Sequence, residues 1–132
     1  KINDVLKSMT FDFFRSGKHK ITPSMHLTEK NSLFLDVRST EELNTIAFSL
    51  VHHMPVLHIP IDKIPDCVNE IPQDKTVGIF CSSGVRSTMV YLYLRTLGFD
   101  NVRIIEGGYA ELADEFKPGK LLKHLSKNRG DK

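Results

Sequence analysis

With 132 residues, 40% of them apolar and 26% charged, the chain has the makings of one globular domain around one core. No apolar run approaches the roughly 20 residues that a bilayer span needs, and two cysteines, Cys67 and Cys81, are too few for a disulfide scaffold and wrongly spaced for a zinc site. The net charge of +2 is uneven: residues 117–132 hold six Lys or Arg against one Asp, a net of +5 that leaves −3 elsewhere, with no aromatics interleaved as a nucleic-acid module would have them.

In residues 4–16, DVLKSMTFDFFRS, Val5, Leu6, Met9, Phe13 and Phe14 fall at helical spacing, and Gly17 ends the stretch. HKIT (19–22) is a short strand candidate closed by Pro23. SLFLDVR (32–38) is an apolar run of strand length. The STEEL that follows offers Ser39 or Thr40 as the cap of a helix with Glu41 and Glu42 in its first turn. VLHIPI (56–61) is a third strand candidate, and DKIPDCVNEI (62–71) is a short helical stretch. TVGIF (76–80) is a fourth strand, feeding a small polar loop and then the helix STMVYLYLRTLG (87–98), with Gly98 as its C-terminal stop. NVRIIE (101–106) is a fifth strand, and GGYAELADEF (107–116) turns into a last helix stopped by Pro118.

Strands apolar on both faces, alternating with helices, predict a doubly wound, mostly parallel sheet of about five strands with helices on both faces. In such α/β sheets ligands sit outside the carboxyl ends of the strands. Those ends fall at residues 36–38, 60–62, 81–86 and 106–109, where most of the polar and glycine-rich stretches lie.

The loop CSSGVRS (81–87) joins a strand end to a helix start. Wrapped around the sulfur, its backbone N–H groups and the first helical turn converge on one spot and form an anion cradle. Gly84 permits the left-handed step that wrapping needs. Ser82 and Ser83 keep the thiol accessible, and Arg86 adds a permanent charge close by. A cysteine in that field is partly thiolate at neutral pH. Simple burial of Cys81 would not explain the adjoining serines, glycine and arginine. Cys67, in IPDCVNEI, has no such loop and reads as buried or inert, with a resolving thiol as the other reading. His52, His53 and His58 are close in sequence, but no carboxylate or thiol completes a metal set.

LFLDVRSTEEL, CSSGVRS and IIEGGY, in this order and at these separations, resemble the rhodanese family of sulfurtransferases. The resemblance implies a single rhodanese-like domain over residues 21–118, with a helical segment (1–20) before it and a basic tail (119–132) after it. Four residues separate Cys81 from Arg86, whereas related phosphatases and arsenate reductases carry five; the shorter loop closes around one sulfur atom. The implied reaction passes a sulfane sulfur to the Cys81 thiolate, giving a persulfide that a thiophilic acceptor then removes. Residues Ser82, Ser83, Gly84, Val85, Arg86 and Ser87 supply the cradle, and Arg86 attracts an anionic donor. Asp36 and Arg38 stand behind them, Asp36 shaping the loop and Arg38 pairing with Glu41 or Glu42 or facing the pocket. Tyr109 is expected to pack in its turn.

No metal or organic cofactor is implied. The expected partners are a small anionic sulfur donor or a persulfidated protein, and a thiol or cyanide acceptor, with no nucleic acid and no membrane span. Relatives usually carry a Gly-His-Ile-Pro-Gly-Ala type turn after the Asp-Val-Arg strand, where this chain reads NTIAFSLVHHMPVLHIPI (44–61). Some thiosulfate-using relatives carry a base at the second loop position, here Ser82, so thiosulfate is expected to be a poor donor. Two other readings stand beside sulfur transfer: a carrier module that docks to proteins, and a Cys-dependent phosphatase. Free cysteines and no leader at the start lead to an expected cytoplasmic location.

Overall fold

The computed structural model describes residues 1–45 and 55–107. Its strands are β1 (Lys20–Ile21), β2 (Ser32–Asp36), β3 (Val56–His58), β4 (Thr76–Phe80) and β5 (Val102–Ile105). They form one sheet in the order β1-β5-β4-β2-β3, and every pairing is parallel. Parallel neighbours need crossover connections, and the helices supply them.

Residues 4–16 are not one helix. Two short helices stand there, α1 (Ile2–Ser8) and α2 (Phe11–Ser16), with Thr10 capping the second through its hydroxyl, which accepts from the Phe13 N–H. The apolar spacing runs across the break because both pieces turn apolar residues inward, Val5 from the first and Phe13 from the second. Pro23 is a second correction. It opens a helix, α3 (Pro23–Thr28), as its first residue, with Thr22 accepting from the Met25 N–H. Then follow α4 (Thr40–Thr45), the short α5 (Ile64–Cys67) between two 3-10 turns, and α6 (Val85–Thr96). Tyr109, the expected last helix, the basic tail, and His52 and His53 lie outside the described residues.

The period of two along each strand sorts the core into two layers. Leu33, Leu35 and Val37 join Val77, Ile79, Cys81 and the inner side of α6 (Val90, Tyr91, Leu94) in one cluster. On the other face Phe34 and Phe80 stack with ring centroids 5.5 Å apart, beside the buried His26 of α3. Gly78 lies under that histidine: a Cβ there would meet the His26 ring at 2.6 Å. Among the described residues no helix is long and apolar enough to cross a membrane.

Candidate active site

Cys81 follows directly on Phe80, the last residue of β4, and is 1% exposed. The chain then reverses at Gly84, whose φ of 92° only glycine adopts without strain, and enters α6. This reversal turns backbone amides back onto the sulfur. The Gly84 N–H donates to Sγ at 2.9 Å and the Ser87 N–H at 3.4 Å. The thiol donates to the Ser87 hydroxyl, 3.5 Å away, which itself donates to the Gly84 carbonyl at 3.0 Å. Once the thiol ionises, that hydroxyl can rotate its proton onto the sulfur.

Burial pushes the Cys81 thiol up. The Ser87 hydroxyl and the N–H groups of Ser87, Ser83 and Gly84 push it down, and together they hold it below the ordinary thiol value. A negative charge on this sulfur therefore meets dipoles already pointed at it.

Arg86, expected to lend its charge to the thiol, is committed to a carboxylate. Its Nη1 and Nη2 donate to the two oxygens of Glu42 at 2.5 and 2.8 Å, and Nη2 also reaches the Ser82 hydroxyl at 3.0 Å. These bonds hold the Glu42 carboxyl down at about 2, against burial and with help from the Ser39 N–H and hydroxyl. Ser39 and Glu42 cap α4 reciprocally: the Glu42 N–H donates to the Ser39 Oγ at 3.2 Å, and the Ser39 N–H to the Glu42 Oε1 at 3.1 Å. The sequence offered Ser39 or Thr40 as the cap with Glu42 in the first turn, but nothing local said that Glu42 would take Arg86.

Asp36 and Arg38 are both buried and joined to each other. Arg38 donates to the Asp36 carboxylate through Nε at 2.9 and 3.1 Å and through Nη2 at 2.6 Å. The Arg38 backbone N–H adds a bond to Asp36 at 3.1 Å. The guanidinium stands 5.4 Å from the Phe80 ring centroid, on the sheet face opposite the cluster that contains Cys81. The structure thus brings Ser83, Gly84 and Ser87 to the sulfur, turns Ser82 and Arg86 toward Glu42, leaves Val85 exposed, and pairs Asp36 with Arg38 on the opposite face of the sheet. His58 bonds the Arg38 carbonyl through Nε2 at 2.7 Å. Among the described residues no cluster of His, Cys, Asp or Glu could hold a metal ion.

A cavity of about 600 Å³ opens over the loop, floored by Ser82 to Val85 and walled by Thr88, Met89, Ile104, Ile105 and Glu106. Sequence reasoning placed Glu106 at this edge but not the apolar walls, which come from the outer side of α6 and the end of β5. Cys67 is half-buried at the margin of the core. Burial first, then Glu70 and Asp66, hold its thiol above the ordinary value, which makes it a poor nucleophile.

With this geometry in view, a model of the rhodanese-like domain matches residues 24–115, and the chain belongs to that family. A tRNA sulfurtransferase of Aeromonas hydrophila is 38% identical over 74 residues, 56% of this chain. The chain spans 15% of that protein's length and 16% of its counterpart in Mannheimia succiniciproducens. A rhodanese-related protein from Thermoplasma volcanium superposes with a TM-score of 0.63 at 26% identity, covering 76% of this chain and 95% of that one. An NAD-dependent persulfide reductase from A. fulgidus superposes with a TM-score of 0.55 at 36% identity, over 74% of this chain and 16% of that chain.

Proposed function

We propose that this domain transfers sulfane sulfur through a persulfide on Cys81. The observation that carries the reading is the convergence of the Gly84 and Ser87 amides and the Ser87 hydroxyl on one buried sulfur at the start of α6. A thiolate held this way attacks the outer sulfur of a donor, and the donor's S–S bond breaks as the new one forms. The resulting Cys81–S–S⁻ has its charge near the same amides, so the cradle serves both thiolate and persulfide. An acceptor thiolate or cyanide then attacks the outer sulfur and returns Cys81. The names of the Aeromonas and A. fulgidus relatives, a sulfurtransferase and a persulfide reductase, are consistent with this chemistry.

Phosphoryl transfer fits less well. It needs the loop arginine on the transferred group, and Arg86 is spent on Glu42. Both cysteines being free suits a reducing compartment such as the cytoplasm.

The test is intact-protein mass spectrometry after incubation with a sulfane donor, on wild type and Cys81→Ser. A gain of one sulfur atom in the wild type alone, reversed by cyanide, is the expected result. Equal loading of the serine variant would end the proposal.

A further inference from the structure

Among the described residues, Arg86 of the loop and Glu106 of the cavity wall are each matched by an opposite charge of the same chain. Arg86 lies one hydrogen bond behind the cavity floor, at Ser82, and is neutralised by both oxygens of Glu42. Glu106, the one charged side chain among the described residues of the cavity wall, pairs with Lys20 at 2.9 Å. The Gly84 and Ser87 amides point at the sulfur, so their dipoles are taken up by the thiolate. The rest of the wall is largely apolar, and Val85 and Met89 are each 58% exposed at its rim.

That balance bears on the donor. Loading from thiosulfate brings a dianion against a thiolate: Cys81–S⁻ + S–SO₃²⁻ gives Cys81–S–S⁻ + SO₃²⁻. Like charges approach, and only a positive mouth would offset their repulsion. Loading from an organic hydropersulfide in its neutral form carries no such cost: Cys81–S⁻ + R–S–SH gives Cys81–S–SH + R–S⁻. Its R group can lie on Val85, Met89 and Ile104, where burial of apolar surface favours it.

We propose that Glu42 is the specificity-determining residue of this site: by neutralising Arg86 it leaves the described lining of the cavity without net charge and largely apolar, which selects a hydropersulfide on an uncharged carrier over an anionic donor. The proposal rests on the Cys81 persulfide reading and adds the donor class to it.

The experiment follows sulfur loading of Cys81 by mass spectrometry, with thiosulfate and with the hydropersulfide of N-acetylcysteine methyl ester, in wild type and Glu42→Gln. The glutamine keeps an oxygen for the Ser39 N–H and removes the charge. In the wild type the hydropersulfide loads faster, and added salt does not slow loading from thiosulfate, because salt screens a repulsion there. In Glu42→Gln, the ratio of thiosulfate to hydropersulfide loading rises about tenfold, the size of effect expected from removing one nearby negative charge.

Thiosulfate loading that equals the hydropersulfide's, or that falls as salt is added, overturns the proposal without touching the persulfide reading. So does a folded Glu42→Gln with an unchanged donor ratio. If that variant does not fold, the salt dependence of the wild type decides. Failure of both donors to load Cys81 overturns the persulfide reading and this proposal with it.

Discussion

The His26 ring fills the space that a side chain on Gly78 would take. An added Cβ would lie 2.6 Å from both Cε1 and Nε2 of the ring and 2.9 Å from Cδ2. The ring is not a flexible tip that can swing aside. It is buried between α3 and the sheet, and its Nε2 donates to the Leu33 carbonyl at 3.1 Å. Glycine in the middle of a central strand is otherwise unfavourable, so its presence at 78 is explained by the helix packed on it. Gly78→Ala is therefore expected to cost about 1–3 kcal/mol, the usual range for overpacking. A urea titration should show a lower midpoint at unchanged slope. In the double variant with His26→Ala, the two losses should sum to more than the observed loss, because the clash is removed.

The same histidine makes the fold sensitive to acid. Burial pushes His26 down to about 4 from an ordinary 6.5, the Leu33 hydrogen bond opposing it weakly, and its Nδ1 is buried with no partner. The folded state thus holds the ring neutral, while the unfolded chain protonates it near 6.5. With the folded value depressed, unfolding takes up a proton, so stability is full above pH 6.5 and falls as the pH drops toward 4. The shift corresponds to about 3 kcal/mol. Denaturation midpoints at pH 7, 5 and 4 should trace that loss, and His26→Leu should flatten most of it. His19, also held below its ordinary value but less buried, leaves a smaller residue of the same sign.

Among the described residues Arg38 is the largest side chain to be fully buried, and its charge is met by the forked bonds to Asp36. An ammonium cannot reproduce that fork or lie flat against Phe80. Arg38→Lys should lose a substantial part of the roughly 3–5 kcal/mol expected for breaking a buried pair outright, and Arg38→Met all of it, since Asp36 would then be buried without its counter-charge. Calorimetric or denaturant unfolding checks both. A lysine variant of wild-type stability would show that charge alone holds the site.

Much of the fold could be read in the chain because its strands are short apolar runs between polar punctuation. SLFLD, TVGIF and VRII became β2, β4 and β5 within a residue or two, and the thiol fell on the junction expected of it. Local signals were misread where one residue type serves two purposes. Pro23 can close a strand or open a helix, and the deciding partner was Thr22, whose hydroxyl caps α3. Thr10 interrupts an apolar spacing that by itself suits one long helix. The charge pairing of the site lay beyond local reading altogether. Glu42 and Arg86 stand 44 residues apart and meet only because β2 and β4 are neighbours in the sheet. From the sequence Arg38 was as good a partner for Glu42, and it is the two-residue period of the strand that turns Arg38 under the sheet, onto Phe80.

Ser87 offers the most direct test of how the thiol is tuned. Its hydroxyl is the strongest of the groups that lower the Cys81 pKa, ahead of the three backbone amides, and it is itself buried. Ser87→Ala removes that hydroxyl and keeps the Ser87 N–H, so the cradle survives with one donor fewer. Serine and alanine differ by one atom, and the lost bond to the Gly84 carbonyl closes only a single turn at the start of α6. The fold should therefore hold. The sulfur then keeps the full penalty of burial with less to offset it, and its pKa should rise toward the ordinary thiol value. Ultraviolet absorbance of the thiolate, followed from pH 5 to 10 against a Cys81→Ser blank, reads this shift without any substrate. The acid limb of the sulfur-loading rate should move by the same amount, since only the thiolate attacks. An unchanged titration would assign the tuning to the backbone alone.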